Sequence, residues 1–405
     1  MSEQTTTPPL GQQEGRPAPP ASPSPAPRPT ARRLAYIDNL RIVLTVLVVL
    51  HHVGVTYGNI PVWYFTEPAQ DPSGLALDLL VVFNQAFFMG FFFLISGYFV
   101  PASYDRKGPR AFLRGRLVRL GIPLLLFTLL LRPLINQEQF AVWAAGAAEQ
   151  GDTLPYWVFY LISWDPGPMW FVEVLLVFCL GYMLLRRIRG TATSDAPARQ
   201  AGPRVPHPVP LLTGTLAVVG FTAGLIALTY VWRLLVPTGS YWPFVGLPTP
   251  YFLPQYVLLF IVGALAFRHG WADRLPRGAG WAGLAVALIG AAGHLSSLDG
   301  TAATGLRALA GAAWENVFAV GIIIALTVLF REVFNGQGRF GRFLSDQAFG
   351  VYFLHPLVLV GLGHALSGWE AVAVVKFAVM AALALPLCWG AAWLLRSVPG
   401  ARKVF

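Results

Sequence analysis

The stretch from Asp38 to His52 reads Asp-Asn-Leu-Arg-Ile-Val-Leu-Thr-Val-Leu-Val-Val-Leu-His-His. It joins a charged start to a long apolar run that carries two adjacent histidines. An apolar run of this kind is typical of a membrane-spanning helix, in which ionisable side chains are costly and are therefore candidates for function. The stretch predicts a membrane protein whose first helix contributes to the functional site.

The helical repeat separates the two histidines. At about 100° and 1.5 Å per residue, the eleven steps from Arg41 to His52 end about 20° from whole turns and about 16 Å along the axis. Arg41 and His52 therefore share a face, whereas His51 lies about 80° away. We interpret this face as the lining of a reaction chamber, with Arg41 at the membrane surface and His52 near its centre. The alternative is an interfacial arginine together with a histidine that bonds to a neighbouring helix.

Composition agrees with a membrane protein. Of 405 residues, 55% are hydrophobic and only 12% are charged, which leaves too little polar surface for a soluble globule of this length. The net charge of +10 is distributed in short basic clusters between apolar runs. This arrangement favours membrane topology over a nucleic-acid groove, so we expect a lipid bilayer as partner and no nucleic acid.

About ten apolar runs are long enough to span a bilayer. They lie near residues 40–58, 77–100, 117–135, 168–186, 209–236, 251–268, 280–297, 311–330, 349–367 and 371–395. Arginine and lysine concentrate in alternate connections, whereas the loops 59–76, 136–167 and 237–250 contain none. By the positive-inside rule both termini are cytoplasmic. The sequence predicts an all-α polytopic membrane protein that crosses the plasma membrane about ten times.

The ends of the chain differ from this apolar body. Residues 1–33 are rich in proline, and we expect a disordered cytoplasmic tail because such a segment buries too little apolar area to offset its ordering entropy. Residues 34–398 are predicted to form the transmembrane domain. Residues 399–405 are predicted to be a short cytoplasmic tail.

Three strings, in this order, carry a resemblance to a known family. They are Ile37-Asp38-Asn39-Leu40-Arg41 followed by ten residues and His52, then Phe91-Phe92-Phe93-Leu94-Ile95-Ser96-Gly97-Tyr98, and then Gly350-Val351-Tyr352-Phe353-Leu354-His355-Pro356. Over roughly residues 34–396 they resemble the acyltransferase-3 family of integral-membrane acyltransferases. Two further elements extend the resemblance: Arg116-Leu117-Val118-Arg119, and Met169-Trp170-Phe171 followed by Glu173.

The resemblance implies an O-acyltransferase that moves an acyl group, expected to be acetyl, from cytosolic acyl-coenzyme A to a hydroxyl of a glycan or another exported or lipid-linked acceptor. His52 would be the general base, because an imidazole works near neutral pH. A histidine that carries the acyl group transiently is the other route. Asp38, Arg41, His355 and Glu173 complete the predicted catalytic set.

A basic cluster provides the expected donor site. Arg114, Arg116 and Arg119 lie in a connection predicted to be cytoplasmic, and arginine binds phosphate well through its planar fork. Ser96 and Tyr352 are predicted to help bind the same donor. The donor, acyl-coenzyme A or acetyl-coenzyme A, is expected as a substrate, and no metal is expected. The alternative is that these arginines only set topology and contact anionic lipid.

Simpler interpretations accompany the other candidates. Tyr352 and His355 are equally consistent with a pair that bridges two helices, and Glu173 with a partner for Arg132 or Arg233. The aromatic residues of the outer loops, Trp63 among them, favour an interfacial belt over a sugar platform. A secondary transporter of a sugar-like or anionic solute is the alternative function, although the two halves show no convincing internal repeat.

Overall fold

The computed structural model describes residues 2, 34–60, 62–190, 211–243, 245–298 and 305–405. Within these residues the fold is all-α, as predicted, and no β-strand is present. The proline-rich segment 1–33, predicted to be a disordered tail, lies outside the described residues apart from Ser2.

The helices follow one another with short connections. In chain order they are α1 (Ala35–Tyr57), α2 (Gly74–Arg116), α3 (Ile122–Leu126), α4 (Arg132–Ile135), α5 (Gln137–Glu149), α6 (Tyr156–Ile162), α7 (Trp170–Ile188), α8 (Leu211–Leu235), α9 (Leu253–His269), α10 (Trp271–Arg274), α11 (Gly278–Ser296), α12 (Gly305–Glu332), α13 (Arg339–Leu366) and α14 (Ala373–Ser397). Two π-helical turns, Leu117–Gly121 and Phe127–Leu131, join α2, α3 and α4.

The described residues contain nine helical segments that are long and apolar enough to cross a membrane. Gly74–Ile135 has 62 residues, about 93 Å of helix, whereas a bilayer core is only about 30 Å thick. The chain reverses at Gly108, where φ is 71° and ψ is 168°. The rings of Tyr104 and Phe112, on either side of this turn, lie 5.4 Å apart. The fold is therefore that of an all-α polytopic membrane protein, and the turn at Gly108 divides Gly74–Ile135 into two stretches that correspond to the predicted runs 77–100 and 117–135.

Glycines allow α2 and α9 to approach closely. A Cβ atom at Gly97 would collide with the carbonyl oxygen of Phe260, and one at Gly263 would collide with that of Leu94. Small residues at such crossings let helix backbones come into contact inside a membrane. Gly97, which belongs to the second signature string, therefore has a packing role.

The loop between α1 and α2, residues 58–73, is fastened across the predicted outer end of the bundle. Glu67 pairs with Lys376 of α14 at 2.7 Å. Asp71 accepts a hydrogen bond from the amide of Ala373 at 2.8 Å, where α14 begins. The hydroxyl of Ser73 and this amide lower the pKa of Asp71. We call this segment the Trp63 loop, because these contacts hold Trp63 over the helices.

At the opposite end, the signature stretch fastens α1 to the connection between α12 and α13. The side-chain amide of Asn39 donates to the carbonyl oxygens of Phe334 at 2.7 Å and Gly336 at 2.9 Å. The last residues of the chain, predicted to be a short tail, pack back on α13. The ring of Phe405 lies 4.8 Å from that of Phe353.

Candidate active site

Two histidines from distant parts of the sequence meet inside the bundle. The imidazole rings of His52 in α1 and His355 in α13 have centroids 4.9 Å apart. The indole of Trp63 lies 4.0 Å from the His52 ring and 6.1 Å from the His355 ring, nearly parallel to the latter. His355 is fully buried, and His52 and Trp63 are partly buried. We call these three side chains the histidine centre.

Backbone carbonyls determine the tautomer of both imidazoles. Nδ1 of His52 donates to the carbonyl of Val48 at 2.8 Å, and Nδ1 of His355 donates to the carbonyl of Tyr352 at 2.6 Å. A carbonyl oxygen only accepts, so in the neutral form each ring carries its proton on Nδ1 and a lone pair on Nε2. Nε2 of His355 is buried and has no hydrogen-bond partner among the described residues. The centre thus presents two basic or nucleophilic nitrogens.

His51 lies on a different side of α1. Its ring stacks on Phe88 of α2 at 5.1 Å and contacts the His52 ring edge-on at 5.3 Å. Its Nδ1 is also buried without a hydrogen-bond partner among the described residues. His51 therefore packs against α2, whereas His52 faces α13.

Tyr352 supports the centre from one turn away. Its ring is 5.8 Å from that of His355, and its hydroxyl donates to the carbonyl of Pro168, just before α7. This bond links α13 to the connection that leads into α7. The structure therefore gives the hydroxyl a protein partner, although donor binding was predicted for it. His355 lies about 24 Å along α13, deeper than predicted, because α13 begins at Arg339 rather than near residue 349.

Asp38 and Arg41 lie at the other end of α1 from His52. Their side chains form an ion pair of 3.5 Å within one helical turn. About 16 Å of helix separates Arg41 from His52, so the arginine and the imidazole are not in contact. The structure brings His52 to His355 and leaves Arg41 near the predicted inner surface.

Glu173 is half-buried near the start of α7 and has no hydrogen bond or ion pair with any described residue. Neither arginine considered as its partner pairs with it. Arg132 lies 3.5 Å from Asp165, and Arg233 lies 2.7 Å from Glu315. The carboxylate is therefore not part of those ion pairs, and no described contact joins it to the histidine centre.

A fully buried arginine holds the connection before α7 in place. Arg132 donates to the backbone carbonyls of Tyr160 and Ser163 and to the Ser163 hydroxyl, and its guanidinium lies over the Tyr160 ring. Asp165 accepts from the amide of Gly167 at 2.6 Å. A Cβ at Gly167 would collide with the hydroxyl of Tyr64, so this turn packs directly on the Trp63 loop.

The predicted donor arginines lie around the first π-helical turn. Arg114 and Arg119 are exposed, and the guanidinium of Arg116 lies 5.1 Å from the ring of Phe112. A groove of about 540 Å³ runs along the same surface and includes Arg114 in its lining. Ser96 is half-buried, one residue before the Gly97 crossing. The three arginines lie within six residues of one another, and Ser96 is next in sequence to the α2–α9 crossing.

Sequence reasoning missed Trp63 as part of the site and treated it as one member of an interfacial belt. The ring contacts with His52 and His355 contradict that interpretation for this residue. A signal was present, since Trp63 follows the histidine-bearing helix by only a few residues and begins the run Trp63-Tyr64-Phe65. Such a short connection cannot carry the indole far from the end of α1.

Comparisons with known proteins agree with the three signature strings. A family model described as an acyltransferase domain, Acyl_transf_3, matches residues 34–393. Proteins named glucans biosynthesis protein C, from Escherichia coli O157:H7 and Escherichia coli strain K12, are 28% and 27% identical to this chain over 242 residues. The match covers 58% of this chain and 59% of each relative, less than two thirds of their length. No solved structure matches the chain.

Proposed function

Because this chain belongs to the acyltransferase-3 family, a family of O-acyltransferases, we propose that it transfers an acyl group from acyl-coenzyme A to a hydroxyl group of a glycan. The observation that carries the proposal is the histidine centre. His52 and His355 lie 4.9 Å apart, and each has its Nδ1 proton bound to a carbonyl, so that Nε2 is free to act. Two such nitrogens suit a reaction that moves a proton and an acyl group together.

In direct transfer, His52 acts as the general base. Its Nε2 accepts the proton of the acceptor hydroxyl while that oxygen attacks the thioester carbonyl. The carbon–sulfur bond then breaks, and the imidazolium returns the proton to the departing thiolate. The bond from Nδ1 to Val48 keeps the ring in the orientation and tautomer that this role requires.

His355 supports a second route through an acyl-histidine. Its Nε2 would attack the thioester, expel coenzyme A as the thiolate and carry the acyl group as an acyl-imidazolium. The acceptor hydroxyl, deprotonated by His52, would then take the acyl group, and the proton held by His52 would pass to the coenzyme A thiolate. The same tautomer serves both routes, because a nucleophilic nitrogen also needs a free lone pair. An acyl group retained on the protein when acceptor is omitted would distinguish this route from direct transfer.

The donor is assigned to the predicted cytoplasmic side, with its phosphates on Arg114, Arg116 and Arg119. The ring contact of 6.2 Å between Phe127 and Phe353 places the helical stretch 117–135, which we call the third crossing, beside α13. Arg119 lies eight residues before Phe127, and His355 lies two residues after Phe353, so Arg119 and His355 are about 15 Å apart along the axis. Acyl-coenzyme A carries its thioester at the end of a long flexible arm, which suits such a separation.

Acetyl is the acyl group we propose, and a glucan is the acceptor class. The name of the relatives, glucans biosynthesis protein C, supports a glucan acceptor. We propose that the enzyme is a multi-pass protein of the plasma membrane that modifies an exported or lipid-linked glycan.

The test uses the purified full chain in lipid nanodiscs. Acetyl-coenzyme A labelled in the acetyl group is mixed with linear glucan oligosaccharides, and mass spectrometry follows the acceptor. We expect label on the glucan and an equal amount of free coenzyme A. A succinyl-coenzyme A reaction run in parallel tests the choice of acyl group. The alternative function is tested with the same protein in sealed proteoliposomes. If these take up glucan and no acyl donor is consumed in either preparation, the protein is a transporter and the proposal is wrong.

A further inference from the structure

Trp63 closes the histidine centre on the side of the predicted outer end. Its indole contacts the His52 ring at 4.0 Å and faces the His355 ring at 15° and 6.1 Å. The Trp63 loop is fixed through Glu67 and Asp71 to the start of α14. The indole is therefore held in one place against the two imidazole rings.

Two buried polar atoms at this centre lack a hydrogen-bond partner among the described residues. They are Nε1 of Trp63 and Nε2 of His355. An indole N–H can only donate. Nε2 of His355 can only accept in the neutral ring, because its proton is on Nδ1. Buried polar groups are almost always paired, so one unpaired donor beside one unpaired acceptor requires an explanation.

The substrates of the proposed reaction supply what each atom lacks. The acceptor brings a hydroxyl, which donates a proton to an imidazole nitrogen. The donor brings a carbonyl oxygen, which has no proton and can only accept. The indole N–H is matched by this carbonyl oxygen. In the acyl-histidine route, the lone pair on Nε2 of His355 is matched by the carbonyl carbon of the same thioester, while the hydroxyl donates to Nε2 of His52.

We propose that Trp63 is a catalytic residue whose Nε1–H donates a hydrogen bond to the carbonyl oxygen of the acyl group. This inference rests on the proposed acyl transfer. As the acceptor oxygen adds to the carbonyl carbon, the electron pair of the C=O bond moves onto that oxygen and gives it negative charge. The indole keeps its proton and stabilises the charge until the carbon–sulfur bond breaks and the carbonyl reforms. Fixed donors of this kind are effective because they need no reorganisation during the reaction.

The test removes the N–H and keeps the ring. One variant is Trp63→Phe, and a second replaces Trp63 with 3-benzothienylalanine, in which sulfur stands in place of the N–H within a ring of nearly the same shape. The control is Trp281→Phe, since Trp281 is 78% exposed on α11. Transfer is measured with acetyl-coenzyme A in nanodiscs, and thermal unfolding of each variant is recorded.

Loss of one such donor is expected to lower kcat by about 10² to 10³, with little change in KM for acetyl-coenzyme A. The benzothienyl variant should show this loss even if Trp63→Phe folds poorly, because its ring fills the same space. Wild-type kcat in the benzothienyl variant, or a raised KM with unchanged kcat, would overturn the inference and leave Trp63 as a stacking surface. If wild-type protein transfers acyl groups and only the Trp63 result is negative, the proposed function stands without this residue.

Discussion

The imidazole rings of His52 and His355 lie 4.9 Å apart although they belong to the first and the thirteenth helix of the described chain. Close packing between these helices produces the approach. Val49 and Val53 of α1 share one buried apolar cluster with Val351 and Leu359 of α13, on either side of the two histidines. The distance between the imidazoles is therefore set by the helix contact around them.

The two neighbouring histidines of α1 provide an internal control. His52→Ala should lower the rate of acyl transfer by about 10² to 10⁴, because loss of a general base usually has an effect of this size. His51→Ala should affect stability more than rate, because His51 stacks on Phe88 rather than on His355. Single-turnover assays in nanodiscs and thermal unfolding would measure both effects. An active His52→Ala protein beside an inactive His51→Ala protein would contradict the assignment of the base.

Substitution of a donor arginine should weaken the binding of acetyl-coenzyme A. Arg119→Gln removes one charge-assisted contact with phosphate, worth about 1.5–3 kcal/mol, and should weaken coenzyme A binding roughly tenfold or more. Arg339→Gln is the matched control, because Arg339 is also exposed and lies at the same predicted face. Isothermal titration with acetyl-coenzyme A would measure both dissociation constants. Equal affinities in the two variants would leave Arg119 as a determinant of topology only.

Loss of the buried Arg132 should lower the stability of the protein. Arg132 is 0% exposed, and Arg132→Met leaves the carboxylate of Asp165 without its partner. Breaking a buried ion pair on one side typically costs about 3–5 kcal/mol of unfolding free energy. Asp165→Asn alone should also destabilise, and the double variant should lose less than the sum of the two. Thermal unfolding in detergent would measure the cycle, and additive losses would argue against a direct interaction.

Replacement by alanine should destabilise the protein at a glycine of the α2–α9 crossing, but not at a glycine that faces open space. Gly263→Ala places a methyl group against the carbonyl of Leu94 and should cost about 1–3 kcal/mol through overpacking. Gly181→Ala on α7 meets no atom within 4 Å. It should be neutral or stabilise by up to about 1 kcal/mol, because alanine favours helix. Equal unfolding temperatures for the two variants would disprove the close crossing.

Membrane sidedness can be tested with single cysteines. Thr153 lies in an exposed connection at the predicted outer end, and Gly336 lies in an exposed connection at the predicted inner end. The two variants are Thr153→Cys and Gly336→Cys. The native Cys179 and Cys388 are buried and should give little background. In intact cells, a membrane-impermeant maleimide should label position 153 and not position 336. Labelling of position 336 from outside would contradict the arginine-based topology.

Several features could be predicted from the sequence because they depend on local properties. Hydropathy and length identified the membrane-crossing helices, including both halves of Gly74–Ile135, whose reversal at Gly108 follows a run of charged residues. The order of the signature strings identified the acyltransferase-3 family. The helical repeat indicated that His51 and His52 point in different directions, since a rotation of about 100° per residue holds in any α-helix.

Only the tertiary structure decided which side chains those directions meet. The helical repeat predicts the direction in which His52 points, but it does not predict that His355 of α13 lies there. The neighbour depends on packing between helices that are far apart in the chain. For the same reason the sequence predicts an interfacial belt for Trp63 and gives no sign that Gly97 is a packing residue. The contacts with Lys376 and Ala373 that hold the Trp63 loop, and the approach of α9 to Gly97, involve residues more than 150 positions away. Local pattern determined the helices and the family, and long-range packing assembled the site.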